Sequence, residues 1–80
     1  MNLYVFEDVL TEYTSGMVLI TAESLDAAQR IAYEEFKRNY REEDLESFLI
    51  RESGFAEPTA SYLVGSEKVA GVRHVVYGGA

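Results

Sequence analysis

The side chains of this chain that could do chemistry gather in two acidic stretches. The first is FEDVLTEYTSGM, residues 6–17, where Glu7, Asp8 and Glu12 share a short span with Tyr13 and three hydroxyls. Converging carboxylates are the hard oxygen ligands that Mg²⁺ and Ca²⁺ prefer, but the Asp-x-Asp-x-Asp-Gly spacing of a calcium loop is missing. Two of the three could equally share acid and base work, a reading that nearly every acidic loop would permit. A solvated turn or a contact loop accounts for the stretch more economically. The second is REEDLES, with Glu42, Glu43, Asp44 and Glu46 close together. Such a row can imitate the phosphates of a nucleic-acid strand and occupy a partner's basic groove without catalysis. The plainer alternative is that acids gather where a helix begins, at the positive end of its dipole.

The remaining reactive side chains form no site. His74 is the single histidine and there is no cysteine, so a transition-metal centre of the common kind cannot be assembled. His74 is expected to be a partly buried strand histidine on one face with Val72 and Val76. No serine stands in a nucleophile elbow, and the glycines form neither a dinucleotide fingerprint nor a P-loop. The basic run KRNYR holds Tyr40 but is followed at once by EED, which cancels its field. A solvated helix end explains it. No cofactor, no metal and no catalytic residue is therefore expected.

Positioning these groups falls to a small set of elements. Residues 2–6, NLYVF, and residues 17–22, MVLITA, are rich in residues that suit a pleated surface, and they read as strands paired in a hairpin. At Ser24, a good N-cap, the apolar period changes to about 3.6. Leu25, Ala28, Ala32, Phe36 and Tyr40 then predict one long amphipathic helix, with Glu34 and Arg38 as an outer i,i+4 pair. The acids before Leu45, Phe48 and Leu49 begin a shorter helix that Gly54 closes. Pro58 disfavours helix at Glu57, and TASYLVG and AGVRHVVYG, joined by GSEK, read as a second hairpin. The fold class is thus α+β, in ββααββ order: a single layer of mainly antiparallel sheet with one long and one short helix packed on one face.

The 80 residues fill one domain, 1–80, with 78–80 as a flexible tail. Fourteen acids against seven basic residues give a net charge of −7, which disfavours direct nucleic-acid binding and attracts a protein partner with a basic surface. No apolar run is long enough to cross a bilayer and no signal peptide opens the chain, so no membrane association and a cytoplasmic location are expected. So small a core without disulfides also makes a homodimer a fair expectation. Six tyrosines add contact area at little conformational cost, with Tyr13 and Tyr33 expected to be exposed.

At YVFEDVLTEYTSGM and the closing VVYGGA the chain resembles short accessory proteins of tailed bacteriophages and prophages. That resemblance implies a phage-encoded binder, of a class that includes anti-CRISPR and other host-takeover inhibitors. It implies no functional residues. The expected function is a small acidic protein-binding module that acts by surface contact and not as an enzyme, through Glu7, Asp8, Glu12 and Tyr13 together with Glu42, Glu43, Asp44 and Glu46. The alternative is a homo-oligomeric structural or virion-assembly component joined through strand edges around residues 70–77.

Overall fold

A computed structural model describes residues 1–10, 16–50, 53–65 and 68–78. It is an α+β structure with a four-stranded antiparallel sheet and two α-helices. In chain order the elements are β1 (Asn2–Val9), β2 (Gly16–Ala22), α1 (Leu25–Phe36), a 3₁₀ turn (Lys37–Tyr40), α2 (Leu45–Ile50), β3 (Ala60–Leu63) and β4 (Gly71–Val76).

Strands β1 and β2 pair antiparallel, as their apolar alternation requires. Tyr4, Phe6, Val18, Ile20 and Ala22 point to one face and are buried. Onto that face α1 lays Ala28, Ala32 and Phe36, small residues at two of the three positions, which lets the helix approach closely. Ser24 starts α1 as expected: its hydroxyl accepts the Ala27 N–H at 3.2 Å.

The second hairpin does not form. The strand order is β3-β1-β2-β4, so β3 pairs with β1, β4 pairs with β2, and the two lie on opposite edges. Pairing each late strand with a central one satisfies the outer hydrogen-bonding edges of both β1 and β2, whereas a β3–β4 hairpin would leave one of those edges bare. Only seven residues, 64–70, separate the two strands. That is ample to cross two intervening strands at roughly 4.8 Å spacing. The crossing is anchored where Thr21 Oγ1 donates to Val69 O at 2.9 Å and Arg73 donates to the Thr21 hydroxyl at 3.0 Å.

The long helix is also shorter than its apolar spacing implies. It stops at Phe36, and the tighter 3₁₀ turn takes Tyr40 off the α1 stripe to the end of β1. There its hydroxyl accepts the Leu10 N–H at 3.1 Å and donates to Ser53 O at 3.3 Å. Glu34 pairs with Lys37 at 3.6 Å rather than with Arg38.

All four phenylalanines are buried, and Phe55 is their hub. Its ring lies 5.2 Å from Phe6, 5.7 Å from Phe36 and 5.3 Å from Phe48. Gln29 donates to the Phe55 and Ala56 carbonyls and so holds this irregular segment against α1. The last described residue is tied down: the Gly78 N–H donates to Leu10 O at 3.0 Å, and residues 79–80 lie outside the described residues.

Candidate functional site

Among the described residues four non-glycine residues adopt left-handed backbone, and all four fall in the two acidic segments: Asp8 and Leu10 at the end of β1, Arg41 and Glu42 after the 3₁₀ turn. Such conformations cost of order 1–3 kcal/mol each and persist only where the surroundings enforce them.

At the first segment the cause is a β-bulge. Glu7 pairs with Met17 and Val9 with Gly16, leaving Asp8 unpaired between them. Strict alternation after Phe6 would aim Asp8 into the core. The bulge, with Asp8 at φ 58°, instead turns it outward and delivers Val9 to the interior. Two successive carboxylates, Glu7 and Asp8, are therefore both exposed. Two glycines make the arrangement possible. A Cβ on Gly16 would run into the Val76 and Val9 carbonyls, and one on Gly54, at φ +83°, would stand 2.5 Å from Val9 Cγ1 and 3.0 Å from Asp8 O.

At the second segment the acids divide by role. Asp44 caps α2: its carboxylate accepts the Ser47 N–H at 2.7 Å, and its carbonyl accepts the Phe48 N–H at 2.8 Å. The Ser47 backbone N–H, assisted by the Ser47 side chain, holds the Asp44 carboxyl below its ordinary range. Glu46 stands in the first turn of α2, where the dipole favours it. Glu43 is half-buried and its carbonyl accepts the Tyr33 hydroxyl at 2.7 Å. Glu42 is exposed. Among the described residues Glu7, Asp8, Glu42 and Glu46 have no ion-pair partner, while Asp26 and Glu34 are paired with Arg30 and Lys37.

Tyr40 links the two segments, because its hydroxyl bridges the backbone just after β1 to Ser53 while its own main chain leads into Arg41 and Glu42. Burial pushes the Tyr40 phenol up, against the lowering effect of the Leu10 N–H. Glu12 and Tyr13, the other expected contact residues of the first segment, lie outside the described residues.

The structure departs from the sequence expectation at His74 and Tyr33. His74 is exposed and does not share a face with Val72. The register shift between Leu19 and Ile20 leaves Arg73 as the extra residue, so His74 pairs with Leu19 on the uncovered face while Val72 pairs with Ile20 and packs on the core. Tyr33 is half-buried, edge-on to Phe48 at 5.5 Å. Among the described residues the exposed tyrosines are Tyr62 and Tyr77.

An open depression of about 340 Å³ is lined by Tyr33, Lys37, Arg38, Glu42 and Glu43. Both signs of charge meet there, with Lys37 Nζ 5.2 Å from the Tyr33 ring, so the lining selects no single class of ion. No group of three metal-ligating side chains assembles among the described residues. Among them, too, no helix is long and apolar enough to cross a membrane. No family model, curated protein or solved structure matches the chain.

Proposed function

We propose that this chain is a protein-binding module that works by surface contact, presenting exposed carboxylates on enforced backbone to a basic surface of another protein. The observation that supports this most is the coincidence of strain with unpaired charge. The described left-handed non-glycine residues sit at Asp8, Leu10, Arg41 and Glu42, in the same two segments as Glu7, Asp8, Glu42 and Glu46, which form no ion pair among the described residues. Strain retained at exposed charged positions is a common mark of a recognition surface. A net charge of −7 adds long-range attraction to a cationic groove and speeds encounter with it.

The contact set is the exposed Glu7, Asp8, Glu42 and Glu46, with the half-buried Glu43 beside them and Glu12 and Tyr13 as further members. Asp44 belongs to the fold, as the cap of α2. A partner that ordinarily holds nucleic acid offers the complementary surface, and blocking its groove is the inhibitory action that the phage-type resemblance implies. The test is charge reversal at Glu42, Glu43 and Glu46 together, with Asp44 left in place. Association with a basic protein captured from a bacterial lysate should slow and lose its salt dependence, while circular dichroism stays native. Unchanged rates at low salt would exclude this surface.

A further inference from the structure

The sheet has two faces, and the helices cover only one. Register places Leu3, Val5, Glu7, Met17, Leu19, Thr21, Ala60, Tyr62, His74 and Val76 on the side away from the helices. In rows across the sheet these read Glu7–Met17–Val76, then Ala60–Val5–Leu19–His74, then Tyr62–Leu3–Thr21, of which Thr21 is buried beneath Arg73 and the Val69 carbonyl. Leu3, Val5, Met17 and Leu19 remain partly accessible and take no part in the core, while Tyr62 is 58% and Val76 43% exposed. Charge is divided between the faces in the opposite sense. Glu7 is the only acid in these rows, whereas the acids of α1, α2 and the segment between them lie on the helix side. We propose that the uncovered sheet face is where two copies of this chain meet, sheet against sheet.

Two arguments commit the face to a second copy. The first is charge: two chains of −7 repel by most approaches, but on this face they meet through rows rich in Val, Leu, Met and Tyr, with Glu7 the one acid in those rows and the acids of the helices turned outward. A two-fold axis along the strands sets β3 of one copy over β4 of the other, bringing Tyr62 to the end of β4 that carries Arg73, a favourable cation–aromatic neighbour. The second is area. The body measures 35 × 26 × 17 Å, and two stacked layers make the thin direction, so the sheet lies along the broad face. Taken as an ellipse, the whole outline of that broad side is roughly 700 Å², which sets the upper limit of a flat contact near the about 800 Å² per partner of a standard interface.

Sedimentation velocity across about 5–200 µM tests this. The wild type should move, with rising concentration, from the 9.0 kDa chain mass to twice that value. Leu19→Lys, with a charge at the centre of the face, should weaken self-association at least tenfold. Because Leu19 is partly buried, the double variant Tyr62→Glu, Val76→Glu, confined to exposed positions, should do the same with native circular dichroism. In an amide-correlation NMR dilution series the shifting signals should be those of residues 3, 5, 19 and 74. A wild type monomeric at 200 µM, a dimer that survives both variants, or shifts confined to the free edges of β3 and β4 would overturn the proposal.

Discussion

Tyr40 is the residue through which one atom's removal reads out the architecture of the candidate site. Tyr40→Phe keeps the ring, which stands edge-on to Phe48 at 5.1 Å and to Phe55 at 6.4 Å, and deletes only the hydroxyl. That leaves the Leu10 N–H and the Ser53 carbonyl without their partner, next to a Leu10 side chain that is 7% exposed. One net hydrogen bond contributes about 1 kcal/mol, and a stranded buried group costs about 1–3 kcal/mol, so a loss of about 2 kcal/mol is expected. For a domain of this size that lowers Tm by roughly 8–16 °C. Thermal unfolding followed by far-ultraviolet circular dichroism measures it. The pH dependence supplies a second signature. Because the folded phenol titrates above its ordinary value of 10.0, the stability it contributes is fully present below that pH and is lost as pH rises through the folded value. The gap between wild type and Tyr40→Phe should therefore narrow in alkali. A Tm within 2 °C of wild type, with parallel alkaline limbs, would refute the role given to this hydroxyl.

Other perturbations probe the elements around it. Ser24→Ala removes the oxygen that accepts the Ala27 N–H and should cost about 1 kcal/mol in urea unfolding. Gly54→Ala forces a side chain into a φ of +83° and against Val9, and should destabilise by about 2 kcal/mol or more, measured the same way. Asp44→Asn keeps a capping oxygen but no titrating group. Since the folded Asp44 carboxyl titrates below its ordinary range, the wild-type advantage should be complete near neutrality and vanish as pH falls through that lowered value, in an acid-unfolding series.

The central strands, the Ser24 cap and the acidic start of α2 were legible in the sequence because each rests on local chemistry: alternation, an N-cap hydroxyl, and carboxylates at a helix dipole. The edges were not. Whether β3 turns back on β4 or each finds a central strand depends on which unpaired backbone is nearest in space, and GSEK reads as a turn in either case. The bulges were likewise obscure, yet the first left a trace. In YVFEDVL the alternation of Tyr4 and Phe6 fails at Asp8 and resumes at Val9, the pattern of one inserted residue. Phe55 gave no such signal, since its burial in an irregular segment comes from Gln29 and three distant rings. The acids stood out by composition alone, but only coordinates separate Asp44, engaged as a cap, from Glu42, exposed and unpaired.

The most direct measurement is the association rate with the captured basic protein as a function of salt for three proteins of known charge. They are the wild type, the triple variant Glu42→Lys, Glu43→Lys, Glu46→Lys, and a control reversing Glu23, Glu34 and Glu57, which undergoes the same change in net charge. The expected result is a slow, salt-insensitive association for the first variant and a rate much nearer wild type for the control. Equal slowing in both would show that net charge alone, and no particular surface, draws this chain to its partner.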